Sequence, residues 1–248
     1  MALPRKLTIA GTAPVSRWLA GPGQPVPAWV LVPAGLVPVL VIGGPLAAGV
    51  VQPASYSPLR DTVSALAGQG GTQPWIVTSA LFVVGGCYLA TAMGLTELRR
   101  PARILLAVAG LSSIGIGASP EPALGSTPQH LAWTALGAAT ITVWPAFTAG
   151  RGPGQPLILT ARAAALVTAL FVALLGWLLL ETRDGTLLGL SERIMSAVQT
   201  SWPFIVALTL RHTAAGSRLA SSAPPVAAAS PSRRCPPSPG LRSQPPHS

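Results

Sequence analysis

Long apolar stretches alternate with short polar ones along this chain, and six of them approach the ~20 residues that a helix needs to cross a bilayer. They cover residues 28–51, 75–95, 104–118, 130–149, 163–180 and 194–210. The third is short, and its run of Ser112, Ser113, Gly115 and Gly117 suits close packing among neighbouring helices better than contact with lipid. The first contains Pro33, Pro38 and Pro45 with Gly43 and Gly44, which predicts a kink because each proline removes a backbone donor. The pattern predicts an all-α polytopic membrane protein, a bundle of six transmembrane helices over residues 28–212, with an N-terminal arm at 1–27. Residues 213–248, rich in Pro, Ser, Ala and Arg and without apolar periodicity, are expected to form a disordered tail.

Between the first two stretches, Ser57 followed by Pro58 reads as a helix cap and first helical residue. Leu59, Val63 and Leu66 recur at helical spacing, and Gly68 supplies a stop. This predicts a short amphipathic helix lying in the interface or over the mouth of the bundle. Thr127 and Pro128 repeat the capping pattern and place His130 in the first turn of the fourth helix. Trp29, Trp75, Trp133 and Trp202 fall near the ends of the stretches, where an amphipathic indole suits the membrane interface.

Charge adds orientation. Only 9% of residues are charged and 50% are apolar, against about 25% charged in soluble domains. Of the sixteen Lys and Arg, thirteen fall in the N-terminal arm, the second and fourth loops and the tail; Arg60, Arg183 and Arg193 alone lie on the other side. Basic residues are retained on the cytoplasmic side, so a multi-pass protein of the bacterial plasma membrane with both termini cytoplasmic is expected. The net charge of +10 is spread beside the apolar stretches. It therefore implies contact with membrane lipids and not with nucleic acid. Pro14 and Arg17 interrupt the N-terminal arm in a way that does not suit a cleaved signal peptide. Cys87 falls within an apolar stretch and Cys235 in the tail, too far apart to pair. The sequence leaves the oligomeric state open.

Of the six acidic residues, Asp61, Glu121, Glu181, Asp184 and Glu192 map to the side opposite the basic loops, together with His130. A carboxylate can orient a histidine, and a histidine can activate a hydroxyl or water. His130, Asp61, Glu121 and Ser64 are therefore the catalytic candidates, and Tyr56, Ser57, Arg60, Glu192, Arg193 and Trp202 complete a candidate polar cluster for ligand binding or structural locking. Arg60 paired with Glu121 or Glu192 is the expected ion pair. One outer histidine without HxxxH or CxxC spacing does not make a metal site, and His130 and His212 at opposite faces do not make a haem site, so no cofactor is expected. The interiors of the apolar stretches lack Asp, Glu, Lys and Arg, which disfavours ion-coupled transport.

Three sets of residues carry a family resemblance: residues 56–66, reading YSPLRDTVSAL; Pro120 and Glu121 with His130 ten residues on; and residues 189–193, reading GLSER, followed by Trp202 and Pro203. Together they resemble the membrane-protein family catalogued as domain of unknown function 998, over residues 28–212. The resemblance implies a six-helix membrane domain with these polar motifs on one face, and it implies no reaction. The chain has Glu121 and Leu131 where many members of the family have Asp and Asn. The reading that follows is an integral membrane protein without an assignable activity, whose outer polar site binds a small or lipidic ligand or locks helix ends. The alternatives are a membrane-embedded hydrolase or transferase acting on a lipid, with His130 as base, and a small-molecule transporter.

Overall fold

The computed structural model describes residues 26–150 and 155–222, and every described element is helical. A single 3-10 turn, Ala28–Val30, leads into α1, Leu31–Val50. There follow α2, Val63–Ala67; α3, Trp75–Gly94; α4, Arg100–Ala118; α5, Pro128–Thr148; α6, Ala161–Asp184; and α7, Leu188–Ser222. The six long helices form a closed ring in chain order: each packs against its neighbours, and α7 returns to α1.

Four helices, Ala28–Val50, Trp75–Gly94, Arg100–Ala118 and Ala161–Arg183, are long and apolar enough to cross a membrane. The other two long helices, α5 and α7, are more polar, and part of that polarity points inward. Gln199 on α7 is buried and donates to Thr142 Oγ1 of α5 at 3.0 Å and to the Phe171 carbonyl of α6 at 3.4 Å. Outward-facing positions are apolar, with Val32, Val39, Leu46, Leu166 and Leu180 all exposed. This is the surface of a membrane-embedded protein, since so large an apolar exterior is not stable in water.

The core of the ring holds Val30, Ala34, Val37, Val84, Leu106 and Trp144. Trp144 is fully buried, and its indole Nε1 donates to the Ala102 carbonyl at 2.8 Å. The α3 and α4 helices cross at Gly85 and Gly110: a Cβ on Gly85 would stand 2.7 Å from the Gly110 oxygen, and a Cβ on Gly110 2.8 Å from the Gly85 oxygen. Only glycine permits backbones to approach so closely.

Several boundaries differ from those the sequence suggests. The third apolar stretch was expected to begin at residue 104, yet α4 starts at Arg100, with Pro101 in its first turn, where a missing N–H is tolerated. Arg103 is buried because its guanidinium donates to the Ala92 and Met93 carbonyls at the end of α3, at 2.9 and 3.3 Å. A cation suits the negative C-terminal end of a helix. At the other extreme, α7 continues to Ser222, ten residues into the stretch expected to be disordered. Residues 213–222 lack proline and contain Ala214, Ala215, Leu219 and Ala220, all strong helix formers. The remainder of the expected tail, 223–248, and residues 1–25 of the expected arm lie outside the described residues.

Candidate functional site

At one end of the ring, the loop after α1, the short α2, the α4–α5 loop and the start of α7 meet. The expected helix from Ser57 does not form there. Instead, residues 57–61 make a turn, in which the Asp61 carboxylate accepts the Ser57 N–H at 2.7 Å and the Asp61 N–H donates to the Ser57 carbonyl at 2.8 Å. Helix α2 starts only at Val63, capped by Thr62 Oγ1, which accepts the Ala65 N–H at 3.0 Å. The reason is tertiary. Arg193 Nη1 donates to the Pro58, Asp61 and Gly189 carbonyls, each at 2.8 Å, and the Leu190 N–H donates to the Leu59 carbonyl at 3.1 Å. Carbonyls that would have begun a helix at Ser57 are thus bonded to α7.

The same guanidinium donates through Nη2 to the Tyr56 hydroxyl. Burial pushes the Tyr56 phenol above its ordinary pKa, with Arg193 opposing, so Tyr56 remains a neutral hydroxyl. Arg60, by contrast, is exposed. Among the described residues the only carboxylate within 4.0 Å of a cationic or imidazole nitrogen is Glu121, beside His130. The expected Arg60 pair is therefore not formed. Arg193, whose side chain can reach the carbonyls at the turn while Arg60 leaves the turn on its solvent side, is the arginine that joins the segments.

Glu192 binds the opposite side of the same junction, where its Oε2 accepts the Val63 N–H at 2.8 Å. Glu192 is half-buried, and the desolvation of its carboxyl pushes its pKa up to about 7. The Val63 and Ser64 amides and Arg193 pull the other way, and Glu121 adds to the rise. A raised carboxyl pKa has a definite sign in linkage. The unfolded chain releases this proton near 4.5, so the stabilising contribution is full below that pH and is lost as pH rises through about 7. The thermal midpoint in detergent should consequently fall between about pH 5 and about pH 8, and Glu192→Gln, which cannot ionise, should show a shallower fall. Parallel profiles for the two proteins would show that Glu192 does not titrate in this window.

His130 occupies the first turn of α5, as the Thr127 and Pro128 pattern predicts, and its N–H is capped by Thr127 Oγ1 at 3.1 Å. The imidazole is 2% exposed. Its Nδ1 lies 2.7 Å from the Ser119 carbonyl, while its Nε2 lies 3.3 Å from Ser64 Oγ and 3.5 Å from Glu121 Oε1. Glu121 is held in turn by its backbone, whose carbonyl accepts the Gln69 N–H at 2.8 Å. The structure thus brings Tyr56, Ser57, Asp61, Ser64, Glu121, His130, Glu192 and Arg193 to one end of the ring.

Trp202 does not join them. It lies nearly four turns along α7 and packs against the main core. Glu181 is also apart: it accepts from Trp177 Nε1 at 3.1 Å and from the Leu187 N–H at 2.9 Å, bracing the α6–α7 turn. Among the described residues no group of three or more His, Cys, Asp or Glu is placed to hold a metal ion. Sequence reasoning missed Ser119, which contributes a main-chain oxygen and so leaves no side-chain signal. It also missed the part played by Gly189, although that residue opens a motif.

A cavity of about 470 Å³ opens beside this network, walled by Tyr56, Asp61, Leu66, Gly71, Glu121 and Pro122. Its size falls within the range of small-molecule sites, about 300–1,000 Å³. The sequence model of a family described as protein of unknown function (DUF998) matches residues 33–209. No curated protein and no solved structure matches the chain.

Proposed function

Because this chain belongs to DUF998, a family of proteins of unknown function whose description names no reaction, we propose a function from the chemistry of its polar end: a six-span membrane protein that binds a small polar or lipidic ligand in the cavity beside His130. The cavity is the observation that carries this reading. It combines the Asp61 and Glu121 carboxylates with apolar walls from Pro53, Leu66 and Pro122, and Leu124 beside them is 91% exposed. A ligand with a neutral or cationic polar group and an apolar body matches both kinds of wall. The tertiary junction built by Arg193 and Glu192 holds the walls in place, so locking the helix ends and shaping the cavity are one task. Gln199 and Thr142 in the ring interior are bonded to each other, which favours the end cavity over a path through the bundle.

The proposed setting is the plasma membrane, with the cavity on the outer face and both termini in the cytoplasm. In support, Arg99, Arg100, Arg103, Arg162 and Arg211 lie at the end of the ring opposite the cavity, and basic residues are retained on the cytoplasmic side. The binding test is native mass spectrometry of the protein extracted in mild detergent. Wild type should carry a bound small molecule or lipid, and Ala65→Phe, which fills the cavity from an exposed position on its wall, should release it. A protein that carries nothing, or whose bound species ignores Ala65→Phe, would overturn the reading. The orientation is checked on intact cells, where a Ser126→Cys variant should react with an impermeant maleimide.

A further inference from the structure

We infer that Ser64 and His130 form a nucleophile and base pair that cleaves a neutral carboxylic ester presented in the cavity. This rests on the ligand-binding reading and adds a reaction to it. A carbonyl oxygen can only accept, so His130 Nδ1, 2.7 Å from the Ser119 oxygen, carries the proton of the neutral imidazole. The lone pair is then on Nε2, and Ser64 Oγ at 3.3 Å is the hydroxyl placed to donate to it. Glu121 Oε1, at 3.5 Å, faces the same nitrogen and is placed to stabilise the charge that develops there as Nε2 takes the Ser64 proton. The Ser119 carbonyl fixes the ring in the tautomer a general base needs, the function an orienting group performs in nucleophile and base pairs generally.

Both members are held on braced elements. His130 is fixed by the Thr127 cap at the start of α5, and Ser64 sits on α2, whose first amide is bonded to Glu192 of α7. The cavity wall is formed by Ala65 and Leu66, next to Ser64 in the chain, with Asp61 and Glu121; it does not itself include Ser64 or His130, so the ester has to reach the half-buried Ser64 across that wall. A phosphate group would meet these two carboxylates, and the nearby guanidinium of Arg193 is already committed to three carbonyls and Tyr56. An uncharged ester avoids that repulsion.

The reaction balances with water as the second reactant. As Ser64 Oγ forms a bond to the ester carbonyl carbon, its proton passes to His130 Nε2. The carbon–alkoxy bond breaks, and the proton on Nε2 leaves with the alcohol. Water then attacks the acyl carbon, giving a proton to Nε2; the bond to Oγ breaks, Ser64 regains its proton, and a carboxylic acid is released.

The test uses the detergent-solubilised full chain with two probes, an alkyl fluorophosphonate and p-nitrophenyl butyrate. Wild type should be labelled at Ser64, located by peptide mass spectrometry, and should hydrolyse the ester. Ser64→Ala should lose both, and His130→Gln should slow both by about 100-fold or more, the usual contribution of a general base. Wild type that is neither labelled nor active, or that is labelled elsewhere, overturns the inference whatever the variants do. The ligand bound to Ser64→Ala, read by native mass spectrometry, separates the two readings. If ligand is retained while wild type stays unlabelled, catalysis fails and binding stands; if no ligand is found in either protein, the binding reading fails too.

Discussion

Arg193→Met should destabilise the folded protein by about 3 kcal/mol, because it removes hydrogen bonds from a charged donor, each worth about 1.5–3 kcal/mol, with a discount for partial exposure. The guanidinium joins the Pro58, Asp61 and Gly189 carbonyls and the Tyr56 hydroxyl, so its loss unfastens the α1–α2 loop from α7 and leaves four acceptors to find water. Methionine preserves much of the apolar stem, which isolates the contribution of the charged head. Arg60→Ala is the internal control: Arg60 is exposed, and its replacement should change stability by no more than about 0.5 kcal/mol. Reversible unfolding in detergent, followed by tryptophan fluorescence, measures both. Equal effects from the two arginines would mean that the junction carries no stability.

Gly189→Ala tests the same junction sterically. A Cβ at this position would fall on the Asp61 carbonyl oxygen and stand 2.7 Å from the Pro58 oxygen. Both obstacles are backbone, so a side-chain rotation cannot relieve them; either the turn or the start of α7 must move. Overpacking of this kind destabilises by about 1–3 kcal/mol, and here the upper end is expected. The displacement should also separate Glu192 from the α2 amides and disturb the wall of the cavity, so ligand retention should fall with stability. Gly176→Ala offers a comparison, since nothing lies within 4 Å of its Cβ position on α6. There the change should be neutral or stabilising by up to about 1 kcal/mol through helix propensity. If Gly189→Ala behaves like Gly176→Ala, the close approach of α7 to the turn is not a constraint on the fold.

The helices themselves were largely legible in the sequence. Apolar runs at 28–51, 75–95 and 130–149 became helices Leu31–Val50, Trp75–Gly94 and Pro128–Thr148 with only small shifts at their ends. Hydropathy and caps are local properties, and Thr127 with Pro128 fixes the start of α5 whatever surrounds it. The resemblance read from the motifs is likewise a property of the chain alone, and the match over residues 33–209 agrees with it.

What tertiary structure decided was which partner each polar group takes. Arg103 looked like a loop residue because a charge is costly beside lipid, yet the open carbonyls at the end of α3 make its burial favourable. Residues 57–61 carry a sound helix-start pattern, but their carbonyls bond to Arg193 and Leu190, more than 125 residues downstream. The sequence pointed to Arg60 as the cation of this site, and only the approach of α7 to the turn gives that place to Arg193. Ser64 and His130 stand 66 residues apart, and no periodicity or spacing links them. They meet because α2 is pinned to α7 while α5 closes the ring beside it, a geometry set by packing among helices and invisible to any local pattern.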